Sequence, residues 1–163
     1  MEVYIKNKLI SLGGSSEVLD SSMQPIFKVK GKVFSPTKKK LICSTDDKLL
    51  YIVRNRFFNC FFNKSYVYDN SGRKIATIRK NKWSISRNYQ ILDTDEPMEI
   101  SGKFFSLTSK IIRCGEEVGV IRRDFTLIRD SFRLEADERD IPFMTALVIA
   151  LDNIKDKRQG DSQ

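Results

Sequence analysis

The sequence predicts a mainly β fold, a closed β-barrel around a central hydrophobic helix that the C-terminal part of the chain forms. Short runs rich in Val, Ile, Phe and Tyr, separated by turn residues, fill most of the chain before one long apolar run, IPFMTALVIAL, at 141–151. The length of 163 residues is typical of a single domain with one core. We therefore expect one domain over residues 1–155, followed by a polar tail over 156–163.

The β-type runs follow one another at even spacing along the chain. In order they are VYIKNKLI, PIFKVKGKVF, KLLYIVR, CFFNKSYVYD, KIATIR, WSISRNYQILD, MEISGKFFSL, SKIIRC, EVGVIRR and FTLIRDSFRLE. Between two of them, DNSGRK at 69–74 is typical of a hairpin loop with Gly72 in a left-handed conformation, and LGGSS at 12–16 predicts another glycine turn. Such a succession of short strands predicts a β-sandwich or a β-barrel.

The apolar run near the C-terminus predicts a helix that is too short to cross a membrane. Its eleven residues would extend about 17 Å, whereas a bilayer core is about 30 Å thick. Asp140 is a good N-cap residue, Pro142 fits the first turn, and cations from Lys155 onwards suit the negative end of the helix dipole. The sequence thus predicts a helix from about residue 141 to residue 155.

Apolar side chains point in every direction around this predicted helix, and only Thr145 interrupts them. They are Phe143, Met144, Ala146, Leu147, Val148, Ile149, Ala150 and Leu151. A helix that is apolar all round is buried all round. A sheet closed around the helix would bury it on every side and would also remove the sheet's own edges, which favours the barrel over the sandwich.

The composition excludes several classes of enzyme. The chain contains no histidine, which removes the Ser/His/Asp triad, the Cys/His pair, the imidazole general base and the histidine-bound zinc site. Cys43, Cys60 and Cys114 are widely spaced and form no CxxC motif, so they fit buried thiols in a reducing cytosol. Charged residues in MEVYIKNKLI interrupt any secretory signal. We expect a cytoplasmic protein with no cofactor and no bound metal.

Basic side chains form two clusters that are candidates for anion binding. The formal net charge is +8, which attracts phosphates, nucleic acid and anionic lipid headgroups alike. Strand periodicity places three lysines of the first cluster on one outward face, and three more follow in a predicted loop: Lys28, Lys30 and Lys32, then Lys38, Lys39 and Lys40. The second cluster surrounds the DNSG hairpin and comprises Arg73, Lys74, Arg79, Lys80 and Lys82. Alternatively, these cations only solvate exposed strands and protect their edges.

Two groups of acidic residues are weaker candidates for chemistry. Asp93, Asp95 and Glu96 in DTDEP offer oxygens to calcium, but they lack the spacing of a twelve-residue calcium loop and fit an ordinary acidic turn. Asp130 and Asp152 could act as perturbed general bases, although a role in capping turns explains them more simply. No catalytic residue is therefore assigned.

Several segments, in their order along the chain, resemble the LURP-one-related family. They are YIKNKLISLGG, FKVKGKVFSPTKKKLI, YVYDNSGRKIATIRKNKW, NYQILDTDEPMEISGKFFSLTSKIIR, EVGVIRRDFTLIRDSFRLE and IPFMTALVIALDNI, and together they cover about residues 2–154. The domain of this family is similar to the tubby C-terminal domain and to phospholipid scramblases. The resemblance implies a barrel of about twelve antiparallel strands around a central C-terminal helix, in a small single-domain member. It also implies membrane association, because tubby domains bind phosphatidylinositol bisphosphate through basic barrel residues.

Three classes of function follow from these observations. We favour a non-enzymatic binding module that recognises anionic phospholipid headgroups, such as a phosphoinositide-like ligand, at the inner face of the membrane without crossing it. A nucleic-acid-binding or protein-interaction scaffold is the first alternative, since charge alone supports it and no recognition motif is present. A small-molecule carrier or an enzyme of unknown chemistry is the second.

Overall fold

Twelve strands and one helix make up the part of the chain that the computed structural model describes. The described residues are 1–6, 15–31, 36–55, 64–80, 88–102, 108–124 and 131–160, and side chains after residue 154 in the helix are not among them. The elements are β1 (Glu2–Lys6), β2 (Ser15–Asp20), β3 (Pro25–Gly31), β4 (Lys40–Ser44), β5 (Leu49–Asn55), β6 (Lys64–Asp69), β7 (Lys74–Lys80), β8 (Tyr89–Leu92), β9 (Met98–Ser101), β10 (Thr108–Arg113), β11 (Glu116–Asp124), β12 (Ser131–Ala136) and α1 (Ile141–Gly160).

The strands form one closed antiparallel barrel in which each pairs with its neighbours in the chain. The first strand completes the circle, because β1 pairs with β12 on one side and with β2 on the other. Val3, for example, lies opposite Leu134 of β12 and Asp20 of β2. Such closure leaves no unpaired sheet edge. The predicted fold, a barrel of about twelve strands around a C-terminal helix, is confirmed.

The connections between strands alternate between the two ends of the barrel and differ in length. At the first end, which we call the short-turn end, all connections are short and described: 21–24, 45–48, 70–73, 93–97, 114–115 and 137–140. At the opposite end, which we call the long-loop end, the connections are longer and contain every internal stretch outside the described residues. The functional surfaces below are located by these two ends.

The helix α1 starts at the short-turn end and runs through the barrel to the long-loop end. Every residue from Met144 to Ile154 is buried, and the helix packs most closely against β5, β6, β7 and β12. The predicted buried helix is confirmed. It ends at Gly160 and not near residue 155, so residues 156–160, assigned to a polar tail by the sequence, continue the helix.

The described part of the chain contains no helix with the length and hydropathy needed to span a bilayer.

The sequence prediction misses two strands and locates one hairpin correctly. Gly72 has φ of +84° in the turn between β6 and β7, as the DNSGRK segment predicts. The β2 strand was assigned partly to a glycine turn, whose glycines lie outside the described residues, and β4 was partly assigned to a lysine-rich loop. Both strands are short and carry polar residues, SSEVLD and KLICS, so neither shows an apolar run.

Candidate functional site

The predicted lysine stripe lies on the outside of β3, but one carboxylate occupies it. Lys28 and Lys30 place their Nζ atoms 3.3 Å and 2.9 Å from Oδ1 of Asp47, in the turn after β4. Hydrogen bonds from Lys30 and Lys28 hold the pKa of Asp47 below its usual range. The two lysines therefore share a single counterion. Lys32, the third member of the predicted stripe, lies outside the described residues.

The second part of this cluster, Lys38, Lys39 and Lys40, lies at the start of β4 and is partly or fully buried. Lys38 and Lys39 are half-buried in the segment that leads into β4. Lys40 was expected in an exposed loop, and this is wrong: it begins β4, is 4% exposed, and its Nζ lies 3.8 Å from Oδ2 of Asp152 in α1. A lysine so buried cannot belong to an outer anion site. The partner, Asp152, is 6% exposed and holds this cation inside the barrel.

A buried polar cluster at the long-loop end holds the last part of α1 whose side chains are described. Asn55, the final residue of β5, donates from Nδ2 to the carbonyl oxygen of Asn153 at 3.0 Å. Asn153 in turn donates from Nδ2 to the carbonyl oxygen of Lys38 at 3.1 Å. Together with the pair of Lys40 and Asp152, these bonds support a structural role for Asp152. Asp130, the other carboxylate considered as a base, lies outside the described residues.

The structure also divides the predicted cluster around the DNSG hairpin, because two of its cations face carboxylates and Arg79 faces an amide. Arg73 places Nε 3.2 Å from Oδ2 of Asp69, and Lys74 places Nζ 2.9 Å from Oδ2 of Asp93. Arg79 is different, because its Nε and Nη2 both donate to the side-chain oxygen of Gln90, at 3.1 Å and 2.9 Å. Lys80 follows it at the end of β7, and Lys82 lies outside the described residues.

Strand pairing places one cation opposite Arg79 and a second cation one strand further away, and the sequence did not single out either. Lys64 of β6 lies directly opposite Arg79 of β7, and Arg54 of β5 lies opposite Tyr66, two residues further along β6. Directly opposite residues have Cβ atoms about 5 Å apart and diagonal ones about 7–8 Å apart. We call Arg54, Lys64 and Arg79 the β5–β7 basic patch.

Hydrogen bonds fix the two arginine side chains of the patch. The Arg54 guanidinium lies 4.4 Å from the centre of the Tyr68 ring, and its Nη2 donates to the Tyr68 hydroxyl at 2.8 Å. Within the described residues neither Arg54 nor Arg79 forms an ion pair. Like charges at directly opposite positions repel each other, and Lys64 and Arg79 occupy such positions, although Gln90 accepts hydrogen bonds from the Arg79 guanidinium. A bound anion would relieve that repulsion, so this patch is the candidate site.

Only strand register could have revealed this patch. Alternation in YIVRN and NKSYVYD predicts that Arg54 and Lys64 face outward, which the structure confirms. Each is an isolated cation in the sequence, however, and the contacts across β5, β6 and β7 join them.

The acidic turn DTDEP joins β8 to β9 at the short-turn end. Asp93 has φ of +66° and accepts a hydrogen bond from the Thr77 hydroxyl at 2.5 Å in addition to the Lys74 ion pair. Glu96 lies 3.7 Å from Nε of Arg113. Across the described ranges, no group of three acidic or cysteine side chains is arranged to hold a metal ion. Asp93 and Glu96 of this turn therefore face protein cations.

Comparison with known proteins identifies the family. The family described as LURP-one-related matches residues 1–152. The chain belongs to this family. Among solved structures, the X-ray structure of a protein from Arabidopsis thaliana aligns with a TM-score of 0.68 over 94% of this chain and 90% of that one, at 14% sequence identity. A likeness at this identity shows the shared fold alone. No curated protein matches the chain.

Charge in this LURP-one-related barrel is distributed unevenly along its axis. The short-turn end is rich in carboxylates: Asp46, Asp47, Asp93, Asp95, Glu96, Asp137, Glu138 and Asp140. Cations near this end, such as Arg73, Lys74 and Arg113, are held by carboxylates. Among the described residues, those towards the long-loop end are mostly basic: Lys38, Lys39, Arg54, Lys64, Arg79, Lys80, Arg122 and Arg123, with Asp124 as a carboxylate. The β5–β7 basic patch thus belongs to the positive end of a polar barrel.

Proposed function

We propose that this LURP-one-related protein is a peripheral binding module that attaches to anionic phospholipid surfaces through the β5–β7 basic patch. The observation that carries the proposal is that, among the described residues, Arg54 and Arg79 form no ion pair and lie on the strands on either side of Lys64. Several other surface cations of the described residues already face a carboxylate, as Lys28, Lys30, Lys74 and Arg113 do.

The chemistry of the patch fits phosphate groups. A guanidinium presents a planar fork of donors that matches phosphate oxygens, and each cation near an anionic membrane contributes about 1 kcal/mol. Tyr66 and Tyr68 lie on the same outer face, with ring centres 6.5 Å apart. Tyrosine rings are well suited to the headgroup region, because one end is apolar and the other is polar. The similarity of the family to tubby domains also supports a phosphoinositide-like headgroup as the ligand, at the cytoplasmic face of the membrane.

The proposal is tested by sedimentation with vesicles. Wild-type protein should bind vesicles of phosphatidylcholine with one-fifth phosphatidylserine or phosphatidylinositol bisphosphate, and should not bind pure phosphatidylcholine. The Arg54→Gln/Arg79→Gln variant should bind about tenfold to thirtyfold more weakly, since two cations at about 1 kcal/mol each are lost. Its melting temperature should fall only slightly, because within the described residues the two arginines make only surface contacts, with Tyr68 and Gln90.

The matched control is Lys28→Gln/Lys30→Gln, which removes the same formal charge from the other predicted cluster. It should bind more strongly than the arginine variant, because Asp47 already compensates part of the charge. A larger loss in this control would move the site to β3. Equal binding of all three proteins would refute a localised basic site.

A binding assay with DNA and RNA distinguishes the lipid proposal from the first alternative, a nucleic-acid-binding protein. Binding of DNA and RNA of any sequence, with a steep decline on added salt, and no binding to anionic vesicles would replace the lipid proposal with a non-specific nucleic-acid binder.

A further inference from the structure

A cleft of about 620 Å³ opens at the short-turn end, beside the start of α1. Its volume lies within the range of small-molecule sites. The apolar lining comes from Tyr51 of β5, Ile75 of β7, Met98 of β9 and Phe143 of α1. The Tyr51 and Phe143 rings are 6.1 Å apart at 57°, and both side chains pack against the core while remaining partly exposed. The cleft therefore offers an aromatic surface to a ligand.

The cations that line the cleft are already bound by carboxylates. The pairs are Arg73 with Asp69, Lys74 with Asp93, and Arg113 with Asp140, the last through two hydrogen bonds of 3.1 Å and 2.9 Å. The pKa of Arg113 is raised, first by its hydrogen bonds to Asp140. A ligand anion would have to compete with these partners.

One carboxylate of the lining has no cation partner among the described residues, and a second has only a longer ion pair. Asp95 forms no ion pair with any described residue, and Glu96 is approached only by Nε of Arg113, at 3.7 Å. The Tyr51 hydroxyl also lines the cleft and has no hydrogen bond within the described ranges. The lining of the cleft thus combines the carboxylates of Asp95 and Glu96 with the Tyr51 hydroxyl and an aromatic surface.

We propose that this cleft binds a small organic cation, a protonated amine or guanidinium carried on an apolar body. The charged group lies between Asp95 and Glu96, and the apolar body packs on Tyr51 and Phe143. Aromatic faces attract cations, and burial of the apolar part adds to binding. The same chemistry is present in a free amine and in a lysine or arginine side chain of a peptide. This site lies at the opposite end of the barrel from the β5–β7 basic patch and is independent of it.

Binding is measured by NMR titration of the full chain with three probes of similar shape: phenethylamine, 3-phenylpropanoate and the dipeptide acetyl-Lys-Phe-amide. Phenethylamine should shift the methyl signals of Ile75 and Met98, and its affinity should fall on added salt because the attraction is between partly exposed charges. The anion should cause no such shifts. Tighter binding of the dipeptide than of the amine would identify a peptide side chain as the source.

The Asp95→Asn/Glu96→Gln variant should bind phenethylamine about threefold to tenfold more weakly, as expected for two partly exposed ion pairs. Asp46→Asn/Glu138→Gln is the control, since it removes the same charge from the same end without touching the cleft. Equal weakening in both variants, shifts caused by the anion instead of the amine, or no shifts at Ile75 and Met98 would each overturn the proposal. 3-Phenylpropanoate is the most informative control probe, because the partly positive N-terminus of α1 beside the cleft would favour an anion over an amine.

Discussion

At the scale of single residues, the pair of Lys40 and Asp152 shows how this barrel uses charge. Both side chains are almost fully buried, one on β4 and one on α1, so the pair joins the wall of the barrel to the helix inside it. Burying two ions costs desolvation energy that their attraction only partly offsets. Loss of one partner, however, removes this ion pair and leaves the other charge buried. The pair therefore fixes the position of the helix more than it adds stability.

We predict that Lys40→Met lowers the free energy of unfolding by about 3 kcal/mol, because Asp152 keeps its buried charge. The double variant Lys40→Met/Asp152→Leu should recover most of that loss. Urea unfolding at pH 7 measures both values. A double variant that is as unstable as the sum of the two single variants would show that the charges do not interact.

A second residue-scale prediction concerns Asp93. Hydrogen bonds from Thr77 and then from Lys74 hold the pKa of Asp93 below its usual value of 3.8. A carboxylate with a lowered folded pKa stabilises the fold above its unfolded pKa, and that contribution is lost as the pH falls through the folded pKa. Asp93→Asn should therefore lower the melting temperature at pH 6 by about 1–2 °C, as expected for roughly half a kcal/mol from a carboxylate whose contacts are partly screened by solvent.

This difference in melting temperature should shrink steadily as the pH is lowered towards 2, and thermal scans from pH 6 to pH 2 measure it. Asparagine tolerates positive φ, so the backbone at this position is preserved. A difference that is independent of pH would mean that the charge of Asp93 contributes nothing.

At the scale of elements, the helix was the most predictable part of the fold. Eleven consecutive apolar or small residues between two aspartates allow few other structures, and the structure buries all of them except Pro142 and Phe143, which are half-buried. The β4 strand was hidden because it follows a lysine run, and its own first residue, Lys40, is a lysine that points inward. The hydrophobic pattern treats a lysine as an exposed residue. Only the partner, Asp152, would reveal that Lys40 is buried, and it is more than a hundred residues away in the sequence.

The contact between α1 and β11 depends on a glycine. A Cβ atom at Gly119 would lie 3.0 Å from Sδ of Met144 and 3.2 Å from the carbonyl oxygen of Glu135, both closer than ordinary contacts. We predict that Gly119→Ala destabilises the protein by about 1–3 kcal/mol through overpacking.

Combining Gly119→Ala with Met144→Ala tests this contact. Met144→Ala alone should lower the free energy of unfolding by about 2–5 kcal/mol, because it leaves a cavity. The double variant should cost less than the sum, because the new methyl group occupies part of the cavity, and guanidinium unfolding gives all three values. Additive losses would contradict a direct contact between the two positions.

At the scale of the whole molecule, the alternation of connections in an antiparallel barrel separates charge along the axis. The sequence predicts an overall positive charge, and its basic clusters were recognised. The polarity could not be predicted, because it depends on which connections share an end, and the two unrecognised strands shift that assignment. The same register explains why Arg54 and Lys64 were missed, whereas Arg79 and Lys80 were included in a predicted cluster.

This polarity predicts how the barrel is oriented on an anionic surface: the long-loop end approaches the lipid and the carboxylates of the short-turn end face away. The chain offers a native probe, because Cys114 is exposed in the turn between β10 and β11 at the short-turn end, whereas Cys43 is buried. A second probe is a cysteine that replaces Asn88, just before β8 at the long-loop end, in a chain with Cys114→Ser. Both chains carry Cys60→Ser.

The most direct measurement is the quenching of a fluorophore on each cysteine by vesicles that contain anionic lipid and a nitroxide-labelled lipid. The account predicts strong quenching of the label at position 88 and little quenching at Cys114. Quenching of both labels to the same extent, or of the Cys114 label alone, would contradict a barrel that meets the membrane with its basic end.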